Sequence, residues 1–350
     1  MTPGQRRTGS AASVAVLGAG SWGTTFAKIL ADAATASDTD RRIRIWGRRP
    51  EVVEQINSLH RNPQYLADVE LPPSISASTD VAEVLSGADL VVLAVPAQSL
   101  RLQLREWKNL IAGDALVVSL MKGLELSTDA RMSEVIREEL DIPVERIAVV
   151  SGPNLAMEIA REEPTASVVA CADSAAAGWL ARSCTAPYFR PYTTSDVVGV
   201  EIGGIVKNVI ALAVGICEGK QMGDNTKASV ITRGLAETSR LALALGGEAQ
   251  TMAGLAGLGD LVATCSSPLS RNHTAGRLLG QGLTLDEVAE KMTQTAEGIK
   301  SGQAVHELAG KLGVEMPITA AVVAVLAGKL HVDQLGPLLL ARDLKPEGDY

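Results

Sequence analysis

The run Val14-Ala-Val-Leu17 leads directly into Gly18-Ala-Gly-Ser-Trp-Gly23, and Thr24 to Ala31 then carries a helical pattern. This order of strand, glycine loop and helix constrains the fold more than any other feature of the chain. Gly18 permits a tight turn, Gly20 lets backbone approach a pyrophosphate, and Gly23 allows the helix to pack closely on the strand. The helix N-terminus supplies amide donors for an anion. In this setting the GxGxxG spacing predicts a dinucleotide-binding βαβ unit.

Further short apolar runs follow at Ile43 to Trp46, Leu90 to Val95, Leu116 to Leu120, Ile147 to Val150 and Thr165 to Val169. Helical patterns separate them, which implies a parallel, doubly wound sheet. Asp32 to Arg42 reads as a polar loop. From Val200 the strand signal stops, and Thr226 to Leu245, Thr284 to Met292, Ile299 to Leu312 and Pro317 to Lys329 read as helices. The expected fold is therefore an α/β Rossmann-type doubly wound sheet domain followed by an all-α helical domain. We divide the chain into a disordered tail (1–13), a dinucleotide-binding domain (14–199), a helical substrate and catalytic domain (200–343) and a flexible C-terminus (344–350). No flexible linker marks the boundary near Ser195 to Gly199.

Composition narrows the function. With 46% hydrophobic and 21% charged residues, the 350-residue chain can bury a large core. A net charge of -8 argues against a nucleic-acid binder that works by bulk electrostatics, but leaves room for a basic pocket that holds a small anion. The four cysteines show no CxxC pairing and no histidines at zinc spacing, so neither a disulfide framework nor a metal site is signalled. A reducing cytoplasm is the simplest home. No stretch has roughly eighteen uninterrupted apolar residues, and the most apolar one carries Glu201, Lys207 and Asn208, so no membrane span is expected. A homodimer is the expected assembly.

Lys207 stands in the apolar stretch from Val200 to Gly215, with Gly203, Gly204 and Ala211 at helical spacing. The ammonium thus faces a stripe without side chains that something else must fill. Partial desolvation there penalises the charged form and suits the amine to proton transfer; a lysine snorkelling to the surface is the plainer alternative. Asp260 lies in Gly254-Leu-Ala-Gly-Leu-Gly-Asp-Leu-Val-Ala-Thr264, where a lone carboxylate is costly without a cation. Lys207 is its natural partner.

Arg48 and Arg49 follow the second strand, where an NAD site usually places an acidic residue. They favour a 2′-phosphate and hence NADPH, although a solvated basic turn or stacking on adenine also fits. Lys122 ends the strand read as fourth, and points toward the crevice at the C-terminal ends of the strands, where such sheets bind ligands. A surface turn is the alternative for it. Ser151-Gly-Pro-Asn-Leu-Ala156 forms another small-residue turn before a helix. Ser270-Arg-Asn-His273 opens a helix with equipment for a phosphate monoester, or with plain capping by Ser270 and an exposed Arg271. His60, His273, His306 and His331 have no second ligand or nucleophile at a telling distance and read as incidental.

In order, these segments resemble the soluble, bacterial-type NAD(P)-dependent glycerol-3-phosphate dehydrogenase family. The likeness runs from about Val14 to Ala341 and rests on the glycine loop, Met121-Lys-Gly-Leu-Glu125, Ser151-Gly-Pro153, Gly199 to Val209, Ile231 to Glu237, Gly257-Leu-Gly-Asp-Leu261 and Ser270-Arg-Asn272. It implies that Lys207 is the catalytic acid/base and that Lys122 touches both substrate and coenzyme. It also assigns Gly152, Asn154, Asp260, Ser270, Arg271 and Asn272 to the substrate. Ser21, Trp22, Arg48, Arg49, Ala156, Arg271 and Glu297 fall to the coenzyme, expected to be NADPH with NADH as the alternative.

The implied reaction is reduction of dihydroxyacetone phosphate to sn-glycerol 3-phosphate for glycerophospholipid synthesis. Ala97 and Gln98 replace the serine-containing turn often seen after Val-Pro, and Thr295 stands where an aliphatic residue is usual; these departures bear on coenzyme details. Two rivals remain open at this point. One is a lysine-dependent reductase of a β-hydroxy or keto acid, which would not require the Ser270, Arg271 and Asn272 cluster. The other is a dinucleotide-sensing protein without catalysis.

Overall fold

The computed structural model describes residues 11–292 and 296–335. They divide into two compact units: one holds the described residues up to 122 together with 130–197, the other 123–129 and the described residues from 198 onward.

The first unit is built on one eight-stranded sheet: β1 (Ser13–Leu17), β2 (Arg42–Trp46), β3 (Ile75–Ser78), β4 (Leu90–Leu93), β5 (Leu116–Ser119), β6 (Ile147–Ser151), β7 (Thr165–Cys171) and β8 (Phe189–Thr194). Their order across the sheet is β3-β2-β1-β4-β5-β6-β7-β8. The first six run parallel. The chain turns back on itself between β1 and β4, the switch point at which such sheets bind their ligands. Alternate residues of β1 enter different cores: Val14 and Val16 pack with Phe26 and Ile29, whereas Ala15 and Leu17 pack with Leu100, Leu104 and Trp107. Both faces are thus covered, which is why the central strands read as continuous apolar runs.

The architecture is the expected one, with several corrections. β3 and β8 were not anticipated, so the strands read as third and fourth are β4 and β5. Ile75-Ser-Ala-Ser is short, and Phe189-Arg-Pro-Tyr-Thr-Thr is polar with an internal proline; both are tolerated because they sit at the sheet edges. β7 pairs antiparallel with β6. The glycine-loop helix, Ser21–Ala36, runs past Asp32 into the segment read as a loop. Ser13 belongs to β1, and Ala11 is buried with its amide donating to Ser183 Oγ at 3.0 Å, so residues 11–13 are part of the fold rather than of a tail. Residues 1–10 and 344–350, the remaining parts of the two expected tails, lie outside the described residues.

The second unit is helical around Val197–Gly219, which is buried from Gly199 to Cys217. By length and composition this helix could cross a membrane, but 89% of its apolar window is buried inside the protein, as befits a core helix. Asp224–Ala244, Leu285–Lys291, Glu297–Lys311 and Pro317–Leu326 match the four helices read from the sequence to within a few residues. Glu237, buried on one of them, accepts from the amides of Ile318 (2.5 Å) and Thr319 (3.1 Å) and so caps another. Segment 123–129 packs here rather than with the sheet: Leu124 enters the helical core, and Asp129 pairs with Lys311.

Candidate active site

In the sheet unit, the glycine loop has the geometry its spacing predicts. Gly18 lies at φ +128°, and a Cβ there would stand 2.4 Å from the carbonyl oxygen of Ala94, so no other residue fits. Gly23 is equally committed, with Gly18 O at 2.1 Å from its would-be Cβ. Gly20 differs, because a Cβ there would meet nothing within 4 Å. The protein gives no packing reason for that glycine, while an incoming pyrophosphate does. Ser21 and Trp22 form the first helical turn, whose amides lack intrahelical acceptors. The Trp22 indole meets Phe26 edge-on, and its Nε1 is buried without a partner. The residues present therefore fit a dinucleotide.

β1 and β2 pair with Leu17 opposite Trp46, so Arg48 and Arg49 leave the sheet at the same end as the loop. Arg48 is exposed. Arg49 donates from Nη2 to the Tyr65 hydroxyl at 2.8 Å and lies 5.3 Å from the centre of that ring. Tyr65 escaped the sequence reading; an aromatic sixteen residues beyond Arg49 carries no signal of its own.

Lys122 donates from Nζ to the carbonyl of Gly152 at 3.1 Å, bringing the ends of β5 and β6 together. Nearby, both polar atoms of the Asn154 carboxamide are buried with no hydrogen-bond partner. An unpaired buried amide costs about 1–3 kcal/mol, and no hydrogen bond within the fold offsets that cost here. Ala156 opens the helix Ala156–Ala160, and its carbonyl accepts from Thr25 Oγ1 at 3.2 Å. Ala97 and Gln98 form a short 3-10 turn after Pro96.

In the helical unit, Lys207 is buried and donates from Nζ to Asp260 Oδ1 at 2.5 Å and to Thr264 Oγ1 at 2.7 Å. The Thr264 hydroxyl in turn donates to Asp260 Oδ1 at 3.3 Å. The expected pair is present, and Thr264 is an addition that the spacing of four from Asp260 on the helix Asp260–Ser266 could have signalled. What fills the bare stripe beside Lys207 is backbone: a Cβ at Gly203 would stand 2.5 Å from Ala256 O. The adjacent thiol, Cys265, is pushed up to about 12 by burial and stays protonated.

Ser270 caps the helix Arg271–Gly280, accepting from the His273 amide at 3.3 Å. Arg271 is exposed, whereas Asn272 is buried, donating to Asn208 Oδ1 at 2.9 Å and accepting from the Gly298 amide at 2.8 Å. Glu297 is the first residue of Glu297–Lys311, so Asn272 ties the helix Arg271–Gly280 to the start of this one. Asn208 was not singled out as a candidate, although it follows Lys207 directly. His273 is no bystander: its buried ring meets Glu218 at 3.0 Å. Thr295 lies outside the described residues.

Two family models match in chain order. The N-terminal part of NAD-dependent glycerol-3-phosphate dehydrogenase covers residues 13–177, and its C-terminal part covers 196–336. The chain belongs to this family. A glycerol-3-phosphate dehydrogenase [NAD(P)+] of Thermobifida fusca is 58% identical over 334 residues, spanning 95% of this chain and 98% of that one. Its counterpart from Streptomyces griseus is 56% identical, spanning 95% and 97%. Among solved structures, the glycerol-3-phosphate dehydrogenase of Coxiella burnetii superposes with a TM-score of 0.88 at 36% identity, covering 95% of this chain and 99% of that one.

Proposed function

We propose that this chain reduces dihydroxyacetone phosphate to sn-glycerol 3-phosphate, with Lys207 as the general acid, and so supplies glycerophospholipid synthesis. The observation that carries this reading is the buried Lys207 ammonium held at once by Asp260 and Thr264. Bound NADPH, or NADH in its place, supplies the hydride to C2. Lys207 gives a proton to the alkoxide oxygen that forms there and recovers one from solvent; in the reverse direction it accepts the alcohol proton. Asp260 and Thr264 fix the amine against rotation and keep its remaining donor aimed. Lys122 steadies the carbonyl end, and Gly152 and Asn154 line the same turn.

Arg271 provides the charge-assisted fork for the phosphate. Ser270 sets the helix start, and Asn272, with one amide proton still uncommitted, adds a donor. For the coenzyme, Gly18, Gly20 and Gly23 shape the pyrophosphate seat, Ser21 and Trp22 present the first-turn amides, and Arg48 and Arg49 meet the 2′-phosphate. Lys122, Ala156, Arg271 and Glu297 complete that set. We read the sheet unit as the dinucleotide-binding part and the helical unit as the part that carries the acid/base. Four buried cysteines that form no disulfide fit a reducing cytoplasm. A homodimer is the assembly we propose, with light scattering as its test.

NADPH oxidation followed spectrophotometrically tests the activity. Turnover with dihydroxyacetone phosphate is expected, with little or none on a keto acid of similar size; the opposite preference would overturn the assignment.

A further inference from the structure

Asn62 is fully buried yet does not do the work its position suggests. It stands at the N-cap of the short helix Pro63–Leu66, where an asparagine oxygen ordinarily accepts from the first-turn amides, but it makes no such bond. Its Oδ1 is buried without a partner. The carboxamide instead donates through Nδ2 to the Ala19 carbonyl at 3.0 Å and to Thr24 Oγ1 at 2.9 Å. Ala19 lies inside the glycine loop, between Gly18 and Gly20, and Thr24 lies on the first turn of the helix that follows. One nitrogen therefore spans the bend.

The Ala19 carbonyl and the Gly20 N–H belong to one planar trans peptide and point in opposite directions. A bond that holds the carbonyl on the Asn62 side turns the Gly20 N–H to the other. Gly20 is also the loop position at which a side chain would meet nothing of the protein. We propose that Asn62 is a positioning residue for coenzyme binding, orienting the Ala19–Gly20 peptide so that its amide serves the pyrophosphate. The proposal rests on the reading that the Gly18–Gly23 loop seats a dinucleotide. Capping of its own helix does not account for the residue, because both bonds of the carboxamide go to the glycine loop and the helix after it, while the oxygen that would cap Pro63–Leu66 stays unpaired.

The pyrophosphate is common to both coenzymes, so the effect must not discriminate between them. In a fluorescence titration without substrate, Asn62→Ala is expected to weaken NADPH and NADH binding alike, by roughly tenfold. At saturating coenzyme, kcat and the KM for dihydroxyacetone phosphate are expected to stay within about twofold of the parent. Thr24→Val, which removes one anchor and leaves Asn62 in place, is expected to weaken both coenzymes by about threefold, and it decides the matter if Asn62→Ala does not fold.

Unchanged coenzyme affinity in the folded variants overturns the proposal, as does loss of NADPH affinity with NADH spared. Loss confined to kcat and the substrate KM overturns it too. Because the titration needs no substrate, parent protein that binds NADPH without turning over dihydroxyacetone phosphate would sink the proposed reaction alone. Parent protein that binds neither coenzyme would sink the dinucleotide reading and this proposal with it.

Discussion

Lys207 and Asp260 meet at 2.5 Å across 53 residues of chain because Gly203, one helical turn before the lysine, has no side chain. The missing Cβ admits the Ala256 carbonyl, and the glycine-rich turn behind it delivers the carboxylate onto the amine. Buried as it is, the pair is a weak contributor to net stability but costly to break, at about 3–5 kcal/mol for removal of one partner.

Catalysis and stability therefore separate in a defined way. Lys207→Met is expected to lower kcat by about 10²–10⁴, the usual worth of a general acid, and to lower Tm because the buried Asp260 carboxylate loses its cation. Adding Asp260→Asn removes the stranded charge, so the double variant is expected to regain Tm without regaining turnover. Recovery of activity in the double variant would show that Lys207 acts only through the fold.

Gly203→Ala tests how the pair is assembled. The new methyl would stand 2.5 Å from a backbone oxygen that cannot swing away like a flexible side chain. The turn ahead of Asp260 must retreat, and a misplacement of about 1 Å in such a site costs roughly 10²-fold. A fall in kcat of that order is expected, with coenzyme affinity retained. Unaltered kcat would mean that the turn yields without carrying Asp260.

How much of this was legible depended on whether a residue's purpose is local. The glycine loop was readable because strand, loop and helix are contiguous, and Lys207 and Asp260 because a charge in an apolar stretch demands an opposite charge somewhere. β3 and β8 were hidden because edge strands need no apolar run; Ile75 to Ser78 and Phe189 to Thr194 answer to one neighbour each. Tyr65, Asn208 and Asn62 were hidden for another reason. Their partners, Arg49, Asn272 and Ala19, are brought to them by the fold, and nothing in their own surroundings marks them.

The two arginines after β2 are not equivalent. Arg49 is engaged by the Tyr65 hydroxyl and ring, while Arg48 is exposed at the end of the strand. Arg48→Ala is expected to raise the KM for NADPH about tenfold, the loss of one hydrogen bond to a charged group, and to leave the KM for NADH unchanged. Tyr65→Phe frees Arg49 without removing it and is expected to have a smaller effect of the same kind. Parallel KM determinations with the two coenzymes check both. Equal losses for NADPH and NADH would assign the arginines to the adenine rather than to the 2′-phosphate.

His273 gives the helical unit an acid-sensitive point. Burial is the largest influence on its ring and pulls its pKa below 6.5, and it outweighs the opposing pull of Glu218. The folded state thus binds this proton less readily than the unfolded chain does. Stability from this residue is fully present above pH 6.5 and is lost as the pH falls from there through the lowered folded value. His273 lies on the helix opened by Ser270, Arg271 and Asn272, so the loss falls on the segment proposed to hold the substrate phosphate. Tm measured from neutral pH downward is expected to drop more steeply for the parent than for His273→Asn, whose side chain carries no titrating group. The variant should be less stable than the parent at neutral pH, since it gives up the 3.0 Å contact with Glu218, and the gap should narrow on acidification. Parallel Tm curves across that range would remove His273 as the source of acid sensitivity.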